Sequence, residues 1–176
     1  MSREWAMPSP NTFSIQPIAR FIGRHMPAGS VSIDPFARDS SLATHRNDLN
    51  PATSATHHMD AATFCEKMQA DGVVVDVGLF DPPYSPRQIS EVYASIGKQA
   101  TTTDTQNAAL YKRVRDAMAP LIKPGGVVLS FGWSSAGMGK TRGYEIVEIL
   151  LVAHGGAHND TICVAERRAP SLLDML

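Results

Sequence analysis

Apolar residues along this 176-residue chain repeat with two different periods, and the alternation between them lays out the elements. Ile15, Ile18, Ala19 and Ile22 fall near helical spacing with Pro27 and Gly29 behind them, which predicts a short helix within residues 13–26. Residues 31–33 and 73–80 are β-prone runs, and each ends on an acid followed by proline, Asp34-Pro35 and Asp81-Pro82. Two helical stripes follow, first Ile89, Val92, Tyr93 and Ile96, then Leu110, Val114, Ala117 and Met118. The stretch between them, residues 97–106, is rich in Thr and nearly free of apolar side chains, which predicts a surface loop. Lys123-Pro124-Gly125-Gly126 predicts a turn into a strand at residues 127–131. A Gly/Ser-rich loop separates that strand from two last β-prone runs, residues 144–152 and 161–165, joined by a hairpin loop.

Strands alternating with helices imply a parallel sheet covered on both faces, and such sheets hold their ligands beyond the carboxyl ends of the strands. Asp34 and Asp81 stand at two such ends. Residues 1–12 show no period and are expected to form a flexible N-terminal arm, with the domain over 13–168 and a C-terminal tail over 169–176.

Composition narrows the functions. A hydrophobic fraction of 43% suffices for one core, and 16 Lys plus Arg against 17 Asp plus Glu exclude a basic nucleic-acid coat. Any nucleic-acid contact must use a local patch, for which Arg87, Lys98, Lys112, Arg113, Arg115, Lys140 and Arg142 are candidates. Cys65 and Cys163 lack paired spacing and are expected to be reduced core thiols. His154 and His158 share a helical metal offset, but Gly155-Gly156 between them predicts a loop, and no metal site is expected. No apolar run approaches membrane-spanning length, so a cytoplasmic protein without a membrane partner is expected.

The chemistry concentrates in Asp81-Pro82-Pro83-Tyr84. An acid accepts a hydrogen bond from an amino N–H, prolines fix φ and leave carbonyls free as acceptors, and an aromatic ring stacks on a base. The set suits a planar amine; a strand-ending turn with a buried tyrosine is the other reading. Trp133 has two readings as well, a wedge against bases or a partly buried structural side chain.

Asp-Pro-Pro-Tyr after a strand resembles the catalytic motif of the DNA adenine N6-methyltransferases, and other segments follow in that family's order. Ser32-Ile33-Asp34-Pro35-Phe36-Ala37 is similar to the loop that cradles the methionine part of the cofactor. Asn47-Asp48-Leu49-Asn50-Pro51 resembles the motif whose acid binds the ribose, and His58-Met59-Asp60-Ala61 the one whose acid meets the cofactor's adenine. Thr12-Phe13-Ser14-Ile15-Gln16-Pro17 resembles a segment that closes over the methionine. The resemblance spans about residues 12–166. It implies an α/β fold of the Rossmann-like class I methyltransferases: a seven-stranded, mostly parallel, doubly wound sheet whose last strand runs antiparallel. It also implies S-adenosyl-L-methionine as cofactor, with Asp81, Pro82, Pro83 and Tyr84 catalytic. Phe13, Pro17, Asp34, Pro35, Phe36, Ala37, Asp48, Asn50, Asp60 and Ala61 are the implied cofactor-binding residues.

DNA is the implied substrate, methylated at adenine N6; an amino group in RNA and a catalytically silent binding module are the alternatives. Two departures stand out. Arg38 occupies a position where the family has glycine, and the gap from Asp34 to Asp48 is short, so the first crossover helix is expected to be very short or missing. For base-edge readout the loops after the motif offer only Gln99, Gln106, Asn107 and Arg142. Relaxed site preference is therefore expected, with a homo-oligomer or partner subunit supplying any sequence readout.

Overall fold

The structure is a computed structural model, and it describes residues 1–83, 94, 97, 107–156 and 158–170. Seven strands form one sheet: β1 (Ser2–Trp5), β2 (Ser32–Asp34), β3 (His45–Arg46), β4 (Val75–Phe80), β5 (Ile122–Gly132), β6 (Tyr144–Ala153) and β7 (Thr161–Arg168). Their order is β1-β6-β7-β5-β4-β2-β3. Only β7 runs against its neighbours, pairing antiparallel with both β5 and β6, while the remaining pairs are parallel. The implied doubly wound sheet with an antiparallel last strand is thus present.

Three α-helices among the described residues cover this sheet: α1 (Gln16–His25), α2 (Ala61–Ala70) and α3 (Asn107–Met118). In α1, Pro17 sits in the first turn, where its missing N–H costs nothing, and Arg24 and His25 sit in the last turn, where the helix dipole favours cations. Its buried Ile18, Phe21 and Ile22 pack on the face made by Val77, Leu79, Val127, Leu129 and Phe131. The opposite face, with Val75, Phe80 and Val128, takes Phe64, Cys65 and Met68 of α2 and Val114 and Met118 of α3. Along β5, residues 127, 129 and 131 face one layer and 128 the other, the period of two that a sheet covered on both sides requires. Both cysteines are free and buried, and burial pushes each thiol up to about 12.

Three features depart from the sequence expectations. The segment taken for an arm contains β1, which pairs with β6 in the register Ser2↔Leu150 to Trp5↔Ala153. Beyond it, Ala6 N donates to Ala153 O at 3.0 Å, and His154 Nδ1 donates to Ala6 O at 2.9 Å while Nε2 meets Thr161 Oγ1 at 2.9 Å. Both ring nitrogens of His154 therefore serve strand docking. Helix α2 was not anticipated. Residues 123–126 lie inside β5 rather than in a turn before it; Gly125 takes φ 77°, and the register against β4 shifts between Val75 and Val77. The stripe Ile89, Val92, Tyr93 and Ile96 lies outside the described residues, whereas Leu110, Val114, Ala117 and Met118 fall in α3 as expected. No helix among the described residues is long and apolar enough to cross a membrane.

From β2 the chain moves outward to β3 through residues 35–44, with no helix between them, and then returns to the other side of β2 as β4. The missing crossover helix explains the short gap between Asp34 and Asp48. The reversal places a crevice between the carboxyl ends of β2 and β4, the position where open α/β sheets bind ligands.

Two glycines give opposite expectations for the same Gly→Ala change. A Cβ on Gly126 would meet Asp76 O at 2.8 Å and Lys123 O at 2.9 Å, backbone atoms of the irregular β4–β5 pairing. Gly23, on the exposed side of α1, has nothing within 4 Å. Gly126→Ala should lower stability by about 1–3 kcal/mol, and Gly23→Ala should raise it by about 0.5–1 kcal/mol. Urea denaturation checks both; equal effects at the two sites would contradict the packing described for residue 126.

Candidate active site

At the end of β2, Asp34 is fully buried. Its Oδ1 accepts from Phe36 N at 2.9 Å, and its Oδ2 has no hydrogen-bond partner among the described residues. Burial is the largest influence on this carboxyl and raises its pKa; the Phe36 N–H opposes the rise, and the charges of Asp81 and Asp48 add to it. The result is a pKa pushed up to about 8.

The loops around Asp34 are held by Asn47, a residue with no role among the sequence expectations. Its Nδ2 donates to Pro35 O at 3.1 Å and Met59 O at 2.9 Å, and its Oδ1 accepts from Met59 N at 3.1 Å. Its backbone joins in: Asn47 N donates to Asp34 O, and Ala37 N donates to Asn47 O. A single buried amide thus ties together the loop after β2, the end of β3 and the entry to α2. The signal available in sequence was a polar residue directly after a strand and beside an acid.

Arg38 adopts φ 48°, the left-handed conformation that glycine takes without cost. Its N donates to Asp48 Oδ2 at 3.2 Å, while Asp48 Oδ1 accepts from Asn50 N at 2.8 Å. The loop therefore keeps a glycine-like path, and the arginine side chain turns toward the N-terminal segment, where Nη1 donates to Pro10 O at 3.1 Å. Here lies a cleft of about 180 Å3, lined by Phe13, Phe36, Ala37, Arg38 and Asp81 among others.

Four of the implied site residues thus meet in one cleft: Phe13, Phe36, Ala37 and Asp81. Asp34, Pro35, Asp48 and Asn50 belong to the hydrogen-bonded loops behind it. Pro17, Asp60 and Ala61 do not line it. Pro17 is buried in α1, Ala61 opens α2, and Asp60 caps α2 through Ala62 N and Thr63 N and pairs with Arg113. A helix start uses an acid in this way because its first N–H groups have no intrahelical partner.

At the end of β4, Asp81, Pro82 and Pro83 follow Phe80 directly; Tyr84 lies outside the described residues. The Phe80 ring stands edge-on to Phe36 at 5.8 Å and to Tyr111 at 6.0 Å, and the Arg115 guanidinium lies 5.8 Å from its centre. Tyr111, on α3, donates its hydroxyl to Pro83 O. Burial raises the Tyr111 pKa most, the Arg115 charge opposes it and the Asp81 charge adds to it; the hydroxyl, pushed up to about 12, stays a donor at neutral pH. Sequence reasoning missed Tyr111, although it stands one turn before Val114 on the buried side of the stripe.

The basic candidates are largely committed within the protein. Lys112 and Arg142 each pair with Asp116 at 2.6 Å, Arg113 pairs with Asp60, and Arg115 donates to the carbonyls of Tyr111, Ala136 and Gly137. Buried Glu166 accepts from Met138 N and Gly139 N, so the loop after β5 is fixed from both α3 and β7. Lys140 is exposed, and Trp133 on the same loop is half-exposed; Arg87 and Lys98 lie outside the described residues.

The raised Asp34 pKa fixes a pH dependence. An acid whose folded pKa exceeds its unfolded value keeps its proton in the folded state alone over the window between them, here from 3.8 to about 8. The folded state binds more protons across that window, so this group's contribution to stability falls by about 1.4 kcal/mol per pH unit as pH rises and levels off above the folded pKa. Asp34→Asn removes the dependence, so the variant should gain on the wild type steadily from pH 5 to pH 8 in urea melts. Parallel pH profiles would mean that Asp34 ionises freely.

No protein-family model matches the sequence, and no curated protein matches it. Solved structures do share its fold. SMU.776, which carries a methyltransferase assignment and is complexed with SAH, superposes with a TM-score of 0.59 at 8% identity, over 86% of this chain and 48% of its own. TrmN from Thermus thermophilus gives 0.51 at 16% identity, over 88% of this chain and 49% of its own. For yhhF from Escherichia coli, also assigned as a methyltransferase, the TM-score is 0.56 at 9% identity, over 93% of this chain and 92% of its own. The chain spans about half the length of the first structures it resembles. At these identities the likeness is one of architecture, and that architecture is the Rossmann-like fold of class I methyltransferases.

Proposed function

We propose that the protein is an S-adenosylmethionine-dependent methyltransferase acting on an exocyclic amino group, with adenine N6 in DNA as the acceptor. The observation that carries the reading is the placement of Asp81-Pro82-Pro83 at the carboxyl end of β4, beside the end of β2, with Asp81 lining the cleft. S-adenosylmethionine, when bound, would supply a methyl group on a cationic sulfur, whose carbon a nitrogen lone pair can attack in line while the sulfur departs as a neutral thioether, the surplus amine proton then being lost from nitrogen. The residues fit that ligand. Asp34 Oδ2, fully buried behind the cleft and without a partner among the described residues, would accept from an ammonium group once the carboxyl yields its proton.

The chain's own part is orientation and charge. An amino group conjugated to a base is a poor nucleophile, because its lone pair is delocalised into the ring. Asp81 accepts one of its N–H bonds and, with the adjoining proline carbonyls, favours the tetrahedral nitrogen over the planar one. Phe80 and Tyr111 hold this acceptor set by ring contact and by the hydrogen bond to Pro83 O. Tyr84 is assigned the stacking partner of the extruded base. DNA belongs to the same proposal, and so does a second copy or partner subunit that supplies readout. Lys112 and Arg113 sit in exposed ion pairs, and Arg115 and Arg142 are also held by backbone carbonyls, so a phosphate would compete with these partners for the same side chains.

The test is methyl transfer from labelled cofactor to DNA and RNA oligonucleotides, read by nucleoside mass spectrometry. N6-methyladenine in DNA is expected. Label in RNA alone would move the substrate, and cofactor binding without transfer to either polymer would leave a silent binding module. Asp81→Ala should abolish transfer while the cofactor dissociation constant stays within about threefold, because the residue is assigned to the amine. Tyr111→Phe, which keeps the ring and removes the hydroxyl, should lower kcat about tenfold with KM for the cofactor unchanged. A fully active Asp81→Ala protein removes that residue from the mechanism.

A further inference from the structure

We infer that Arg38 binds the carboxylate at the amino-acid end of the cofactor and makes the protein selective for ligands that carry one; the inference rests on the S-adenosylmethionine reading. Arg38 holds φ 48°, a conformation that costs every residue with a Cβ and that glycine adopts freely. A strained non-glycine residue in a ligand cleft points to a side chain with a task there. Arg38 lines the cleft beside Phe36, Ala37 and Asp81. The other charged side chains that line the cleft among the described residues are acidic, Asp39 and Asp81, and they would repel an incoming carboxylate.

The guanidinium is aimed but not used up. It has five N–H donors, and its one hydrogen bond among the described residues runs from Nη1 to Pro10 O at 3.1 Å, with no ion pair. That bond fixes the head group in advance, which reduces the ordering cost of binding. The remaining donors form the fork that matches a carboxylate. An α-amino acid needs two opposite partners close together. Asp34 Oδ2, buried behind the cleft, is the oxygen that the S-adenosylmethionine reading assigns to the ammonium, and Arg38 follows four positions later in a loop tightened by the Phe36 N bond to Asp34 and the Ala37 N bond to Asn47 O.

Three ligands separate the possibilities by calorimetry. S-adenosylmethionine has both groups, its decarboxylated form keeps the sulfonium and the ammonium, and 5′-methylthioadenosine lacks the whole amino-acid end. Wild type should bind the decarboxylated form about tenfold more weakly than S-adenosylmethionine, the usual scale for losing a charged hydrogen-bonded pair. Arg38→Gly should lose about tenfold for S-adenosylmethionine, match wild type for the other two ligands, and melt no lower, because glycine relieves the strained φ. Unchanged S-adenosylmethionine affinity in Arg38→Gly would overturn the inference. So would an equal loss for all three ligands, which would place the effect in the loop, or a loss confined to DNA affinity, which would assign the cation to phosphate. Wild type binding none of the three would instead overturn the methyltransferase reading itself.

Discussion

Where the sheet reverses its direction of growth, β2 buries a carboxyl group and leaves one oxygen of Asp34 without a hydrogen-bond partner among the described residues. An unpaired buried acceptor costs about 1–3 kcal/mol, and it persists only if the surroundings fix it more firmly than that. They do so through Asn47, whose amide and backbone reach Asp34, Pro35, Ala37 and Met59 at once. Keeping its proton also moderates the cost, since a neutral buried carboxyl is far less penalised than a charged one. The strain therefore stays local, and the loop stands ready before any ligand arrives.

The rest of the site is built on the same plan, with each loop held by a side chain from a regular element. From α3, Tyr111 reaches Pro83 O and Arg115 reaches the carbonyls of Ala136 and Gly137, while Glu166 on β7 takes the N–H groups of Met138 and Gly139. On the far side of the cleft, the stretch Pro10–Phe13 runs between β1 and α1, so the pairing of β1 with β6 and the His154 bond to Ala6 O anchor that wall. Sites carried on strands and helices hold their geometry better than sites on free loops. Here the irregular segments borrow that precision through hydrogen bonds.

The strand-end acids were legible because apolar runs ending in Asp-Pro mark both a strand and its terminus, and neither signal needs tertiary information. Strand β1 was not legible: it is an edge strand bearing Arg3 and Glu4, largely exposed, so no apolar period marks it. In α2 the buried spacing of Phe64, Cys65 and Met68 is present, but Ala61 and Ala62 dilute it, and the helix is announced instead by its cap. That cap gives Asp60 a structural role beside the one the resemblance implies. The residue types that cap helices are those that bind amino groups, and sequence does not tell one donor from another. Asn47 and Tyr111 were missed for the complementary reason, since their partners are backbone carbonyls that only the fold brings near.

Electrostatics around the cleft bears on the order of events in the proposed reaction. Asp48 and Asp81 lie close enough to raise the Asp34 pKa through their charges, and Asp39 lines the cleft with Asp81. This field attracts a cationic ligand and repels a phosphate backbone. The basic side chains of α3 that would offset it are paired with Asp116 and Asp60 or bound to backbone carbonyls. A sulfonium ligand entering first would neutralise part of the acidic cluster and give Asp34 the partner it lacks, and only then would a polyanion meet a less repulsive surface. The charge distribution thus favours cofactor before nucleic acid. In the proposed reaction the same field would keep phosphates away from the cleft, and the extruded base would reach in alone toward Asp81, held by stacking and amine hydrogen bonds rather than by charge.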